Sequence, residues 1–252
     1  MRTRLLVAGL ASAALLAMSP AQAADYNTIT SFDATPITFY WFPAVGLAPG
    51  QTAPTVLQGP GFGGQAQSNP EATSGGPIPG VGPLRQAGYN VLTWNPRGIS
   101  PSGGEAMLDN PDYEGRDVQA LIDWVGQQPQ AQLDAPGDPR VGMTGGSYGG
   151  AIQLSTAAID TRLDAIVPVI AWNSLSTSLY KAATIKTAWV NVLMAGATRP
   201  GNTFSPRILQ GREQARNGMT FSDSVVEFAR SAGPDQYLPG IETPTFIIQG
   251  TV

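Results

Sequence analysis

The sequence predicts a doubly wound, mostly parallel α/β sheet, with antiparallel strands at its amino-terminal edge and a helical insertion late in the chain. Three observations predict it. Short apolar runs at 54–58, 89–94, 141–144 and 164–170 alternate with helical or polar segments, the order expected of strands joined by crossovers in one sheet. At 252 residues, 42% hydrophobic and 13% charged, the chain can bury one sizeable core. Gly145-Gly146-Ser147-Tyr148-Gly149 lies between one such strand and a helical pattern, and it fits G-x-S-x-G, a strained turn that exposes a serine.

The first 23 residues stand apart. Arg2 and Arg4 precede an apolar run at 5–18, and Ser19-Pro20-Ala21-Gln22-Ala23 offers an A-x-A cleavage site, so a signal peptide is expected. The run is too short to span a bilayer comfortably. Cleavage near Ala23 would leave a secreted chain, extracellular or periplasmic, beginning near Ala24. Without Arg2 and Arg4 the balance is 12 basic against 18 acidic residues, a net charge of −6. Such a chain is a poor partner for nucleic acid or an anionic membrane. Having no cysteine, it has no disulfide or thiolate metal site, and neither metal nor cofactor is expected. Histidine, the commonest general base, is absent too.

Residues 28–42 alternate well enough for a strand pair turning at Asp33-Ala34-Thr35-Pro36. The strand at 54–58 ends in Gly59-Pro60-Gly61-Phe62-Gly63-Gly64, which contains G-x-G-x-x-G. A dinucleotide site must open directly into a helix, whereas 65–83 is rich in Pro, Gly, Ser and Asn, so a flexible backbone loop is the better reading. One short helix is expected within 80–88. The strand at 89–94 leads into Asn95-Pro96-Arg97-Gly98, where Arg97 either pins the loop through nearby carbonyls or is solvated. Val118, Leu121, Ile122 and Val125 fall at i, i+3, i+4 and i+7, so a helix within 113–126 covers the sheet. Asp117 and Asp123 lie off that stripe and are expected in solvent.

At the elbow, Gly145 and Gly149 remove Cβ atoms that would strike the neighbouring strand and helix. The turn aims the Tyr148 N–H at the space above Ser147, where it can stabilise an oxyanion. The glycine loop after 54–58 is expected to supply a second N–H, from Phe62 or else Gly61. Beyond the strand at 164–170, helical pieces are expected at 179–194, 205–216 and 222–231. Trp172, Tyr180, Trp189, Val192 and Leu193 either face a pocket or pack as core. Residues 244–250 restore a buried strand. The domains expected are a core over 24–170, a helical cap over 171–240, and the incomplete start of the core's last part over 241–252.

These residues together resemble the α/β-hydrolase family of X-Pro dipeptidyl-peptidases and cocaine-esterase-like acyl esterases. The likeness rests on the glycine loop, Trp94-Asn95-Pro96-Arg97-Gly98, Arg116-Asp117-Val118, the elbow, and Ile248-Gln249-Gly250-Thr251-Val252. It implies that Ser147 is the nucleophile of an acyl-enzyme mechanism and that the Tyr148 N–H is an oxyanion donor. The partner is then a small ester or peptide substrate. Some members use a tyrosine hydroxyl as the second donor, where this chain has Phe62, and aspartate is common where Asn95 stands.

In that family the acid and the histidine of the triad follow the serine in chain order, at or beyond the position where this chain ends. The resemblance therefore reads the chain as a C-terminally truncated hydrolase, nearly inactive alone and of low solubility. Lys181 and Lys186 stand at no motif spacing that would make either a substitute base. X-Pro dipeptide cleavage is the first expectation, with Asp223, Glu227 and Asp235 as candidates to hold a substrate amino terminus. An acyl esterase of the same fold, or a non-catalytic exported binding protein, is the alternative.

Overall fold

The computed structural model describes residues 25–250, and the leader expected over 1–23 lies outside them. Strands β1 (Asn27–Thr30) and β2 (Pro36–Phe42) form the antiparallel pair. Ser31 N–H on the Thr35 carbonyl, at 2.8 Å, closes the turn between them. Strand β3 (Thr55–Gly59), helix α1 (Val81–Gln86) and strand β4 (Asn90–Trp94) make the first crossover, with β3 and β4 parallel. β2 adds antiparallel to β4, with Phe39 opposite Trp94.

After β4 a loop and one π-helical turn, Pro111–Gly115, lead into α2 (Arg116–Val125). The Asn110 side chain caps that turn by accepting from Asp112 N–H at 2.9 Å, satisfying a donor the helix start leaves unpaired. Strand β5 (Val141–Gly146), helix α3 (Tyr148–Ala157) and strand β6 (Leu163–Val169) complete a six-stranded sheet ordered β1-β2-β4-β3-β5-β6. From β4 to β6 the strands are parallel, so their carboxyl ends open on one edge, where such sheets bind ligands.

The core follows from pattern. Val118, Leu121, Ile122 and Val125 on α2 are fully buried in one cluster with Phe39, Leu57, Leu92 and Ile166. Burying four such side chains is worth on the order of 6–12 kcal/mol before entropy is counted. α3 is buried along its whole length, so it needs internal partners for its polar groups. Gln153, fully buried, supplies them by donating to the Gly149 carbonyl at 2.7 Å and accepting from Val167 N–H at 2.8 Å.

Over the strands' carboxyl ends lie helices α4 (Leu175–Leu179), α5 (Thr187–Ala197), α6 (Pro206–Arg216) and α7 (Asp223–Ser231). Here the structure corrects the expectation of one helical piece over 179–194. A small hairpin pairing Tyr180–Lys181 with Thr184–Ile185 separates α4 from α5. Its turn residues Ala182 and Ala183 take φ of 51° and 54°, a conformation glycine and asparagine usually fill. An Ala-Ala pair signals helix, and tertiary context overrides it.

Residues 244–250 need correction as well. They run parallel beside β6, with Phe246 N–H on the Ile166 carbonyl at 3.0 Å and Ile248 N–H on the Pro168 carbonyl at 3.1 Å. Yet Phe246 is 67% and Ile247 63% exposed, because no described element covers them. Among the described residues no helix is long and apolar enough to cross a membrane.

Candidate active site

β3 and β5 end side by side, with Gly59 opposite Gly145. The chain then reverses through Ser147 at φ 57°, ψ −115°, a strained position for a side chain other than glycine's. Its backbone is held from both sides. Ser147 N–H donates to the Val169 carbonyl at 2.9 Å, and the Ser147 carbonyl accepts from Gly150 and Ala151 N–H at 2.9 Å each. A Cβ on Gly145 would lie 2.3 Å from the Gly149 carbonyl oxygen, and one on Gly149 would lie 2.1 Å from that of Gly59. The elbow therefore needs glycine at both positions. Gly145 clears the helix, and Gly149 clears the neighbouring strand.

The Ser147 hydroxyl is half-buried and has no hydrogen-bond partner among the described residues. Tyr148 N–H, first in α3, has no carbonyl within its helix to donate to. Neither it nor the N–H groups of Gly61 and Phe62 finds an acceptor among the described residues. The Phe62 and Tyr148 rings touch, with centroids 5.3 Å apart, so the glycine loop lies against the elbow. The turn of Gly64 N–H onto the Gly61 carbonyl shapes that loop, and no helix begins before Val81.

Asn95 tethers the same loop. Its Oδ1 accepts from Ala66 N–H and its amide donates to Thr38 Oγ1, both at 2.9 Å. An aspartate carboxylate could make the first bond, but it could make the second only by accepting the Thr38 hydroxyl proton.

Beneath the elbow lies a buried acidic pocket that the sequence reading missed. The Tyr148 hydroxyl donates to Glu114 Oε1 at 3.0 Å and accepts from Asp109 N–H at 3.1 Å. Both Asp109 oxygens and Glu114 Oε2 lack partners among the described residues. Burial pushes the Glu114 carboxyl up to about 7. Burial, reinforced by the nearby Glu114 charge, raises Asp109 well above the carboxylate range. Glu114 sits one turn before Val118, so it extends the apolar stripe of α2 inward. A carboxylate in line with that stripe was the available signal.

Arg97 and Asp117 are corrected together. Asp117 is 2% exposed, and Arg97 binds it through Nε to Oδ2 and Nη2 to Oδ1, both at 2.7 Å. Arg97 also reaches Asp33 at 2.9 Å and lies over the Phe32 ring, 5.2 Å from its centroid. The loop is thus pinned by carboxylates rather than by carbonyls. The hydrogen bonds from Arg97 hold the Asp33 carboxyl down at about 2. Asp123 is exposed and pairs with Arg162.

A chamber of about 210 Å³ opens above Ser147, walled by α4 to α7. Trp172, Tyr180 and Leu193 line it, whereas Trp189 and Val192 are 60% and 62% exposed and belong to neither pocket nor core. Asp223, Glu227, Asp235, Lys181 and Lys186 are all exposed and none lines it. Glu227 pairs instead with Arg230 at 3.1 Å. Among the described residues no three acidic side chains are grouped to hold a metal.

Known structures share this architecture. An acylaminoacyl peptidase solved with Z-Gly-Gly-Phe-chloromethyl ketone superposes at TM-score 0.58 and 16% identity, over 89% of this chain and 31% of its own. The dipeptidyl peptidase 4 of Porphyromonas gingivalis superposes at 0.57 and 16%, over 90% of this chain and 27% of its own. An uncharacterized 31.7 kDa protein of Escherichia coli is 31% identical over 87 residues, 34% of this chain and 29% of that one. The chain thus spans under a third of the length of each of these proteins. The fold is that of the α/β-hydrolases. The family model for X-Pro dipeptidyl-peptidase (S15 family) matches residues 15–252, and the chain belongs to that family.

Proposed function

We propose that the chain carries the nucleophile and oxyanion site of an exported serine hydrolase of the X-Pro peptidase or acyl esterase type. Family membership and fold support a hydrolase. The finer reading rests on one observation, a serine held at φ 57° with an unengaged hydroxyl facing an apolar chamber. Ser147 Oγ attacks an acyl carbonyl, and the Tyr148 and Phe62 N–H groups take the developing oxyanion. Collapse of that adduct expels the alcohol or amine and leaves an acyl-enzyme, which water hydrolyses.

The step also needs a proton acceptor. The chain contains no histidine, and no described base is bonded to Ser147 Oγ. Turnover by this chain alone is expected to be about a million-fold below that of a complete triad. That same gap favours a second reading, an exported binding protein on a hydrolase fold. Phosphonylation by a fluorophosphonate probe, with and without added imidazole as a diffusible base, separates the two. The hydrolase reading expects mass on the peptide containing Ser147, faster with imidazole and absent in Ser147→Ala. Equal labelling of Ser147→Ala, or no labelling in either condition, defeats it. Export is tested by N-terminal sequencing of the protein recovered outside the cytoplasm, which should begin at Ala24.

A further inference from the structure

We infer that the outer face of α5 docks on an anionic lipid surface, through exposed apolar side chains flanked by basic residues. The inference stands apart from the acyl-transfer reading of Ser147. α5 holds no charged residue, and it is apolar on both sides. Its inner side chains Val190, Leu193 and Met194 line the chamber. Its outer side presents Ala188, Trp189, Val192, Ala195 and Gly196 to solvent, and Asn191 is the one exposed polar residue among them. A helix apolar all round is ordinarily covered on every side, and an exposed aromatic and aliphatic face marks a contact surface.

Charge identifies the partner. Between Asp164 and Glu213 the chain carries five basic residues and no acidic one, although its overall charge is −4. Net charge over the whole chain argues against an anionic surface, and its distribution argues for one here. Lys181 lies on the hairpin before α5, Lys186 at the amino end of the helix and Arg199 just past its carboxyl end. All three are exposed, and none makes an ion pair among the described residues. A cation at a helix's amino end opposes the helix dipole, and the first turn of α5 has no acidic residue to offset Lys186. An anionic surface supplies that offset. Tryptophan on an apolar face between basic residues suits the boundary between lipid headgroups and acyl chains. A second copy of the chain fits less well. Two-fold pairing on this face would set Lys181, Lys186 and Arg199 against the same cations of the other copy.

Tryptophan emission of the full chain, titrated with vesicles, tests this. Trp189 is the one exposed tryptophan of five, and the leader contains none, so its emission reports this face. Vesicles of equal phosphatidylcholine and phosphatidylglycerol should shift the emission to shorter wavelength, and Trp189→Phe should abolish the shift. The affinity read from the shift should fall about fivefold for each cation removed, or about a hundredfold in Lys181→Gln, Lys186→Gln and Arg199→Gln combined. Val192→Ser should weaken it about tenfold, because that side chain no longer enters the apolar layer. All four side chains are exposed, so these variants should melt with wild type.

Unchanged Trp189 emission on the mixed vesicles overturns the inference. An equal shift on phosphatidylcholine alone, or one that survives the triple variant, overturns it by removing the role of charge. An affinity unchanged by Val192→Ser overturns it by placing the lipid contact elsewhere, such as the exposed strand at 244–248. A stable dimer in light scattering that Val192→Glu dissociates assigns the face to a second copy and also overturns it.

Discussion

The Arg97 guanidinium and the Asp117 carboxylate form a buried bidentate pair, both contacts at 2.7 Å and the side chains 3% and 2% exposed. The pair ties the loop after β4 to the first turn of α2, and Asp33 brings in the β1–β2 turn. Removing one partner strands a charge with no water to receive it. Arg97→Ala should therefore cost about 3–5 kcal/mol in urea unfolding. Arg140→Ala breaks a pair whose side chains are 51% and 30% exposed, and it should cost no more than about 1 kcal/mol. Equal costs for the two variants would show that burial does not set the value of the Arg97 pair.

The sheet, its antiparallel edge and the α2 stripe were legible because each is a local periodicity that the final packing respects. The elbow was legible because glycine at 145 and 149 is a steric requirement written into five residues. Asp117 was not, since a charge at the margin of an apolar stripe looks solvated until Arg97, twenty positions upstream, is folded onto it. The hairpin at 180–185 was hidden because Ala182 and Ala183 carry no turn chemistry of their own. The expected burial of 244–250 failed for a similar reason, as hydrophobicity says what prefers a cover and not whether one is present.

Gly149→Ala should collapse the elbow. The added Cβ would sit 2.1 Å from the Gly59 carbonyl oxygen, and backbone at that position cannot turn aside as a side chain would. Overpacking of this kind costs about 1–3 kcal/mol or more. A matching Gly196→Ala on α5 meets nothing within 4 Å and should be neutral or slightly stabilising. The comparison is read as melting temperatures of the two variants beside wild type. A Gly149→Ala protein that melts with wild type would mean that the strand and helix are less closely apposed than described.

Ser147→Gly should stabilise the protein. At φ 57° a serine pays a conformational penalty of about 1–3 kcal/mol that glycine escapes. Glycine's greater freedom in the unfolded chain returns up to about 1 kcal/mol of that. The net gain of about 1 kcal/mol should raise the melting temperature by roughly 2–4 °C. Ser147→Ala removes the hydroxyl but keeps the Cβ, so it should show no such gain. If the two variants melt alike, the turn at 147 stores no strain and the elbow assignment weakens.

Stability should fall as pH rises from about 5 to 8, and Glu114 should account for much of the fall. Its carboxyl is raised from 4.5 in the open chain to about 7 when folded, with burial as the leading cause. The folded state therefore holds the proton more tightly than the unfolded one. The stabilisation is complete below about 4.5 and is lost as pH climbs through 7. A shift of this size corresponds to something on the order of 3 kcal/mol. Asp109, raised in the same direction, adds a contribution of the same sign. Glu114→Gln keeps an oxygen for Met107 N–H and the Tyr148 hydroxyl but carries no titrating proton. Chemical denaturation at pH 5 and pH 8 should show the wild-type loss reduced by about 2–3 kcal/mol in Glu114→Gln. Identical losses would mean that water reaches this carboxyl, and that the pocket beneath Tyr148 is open rather than sealed.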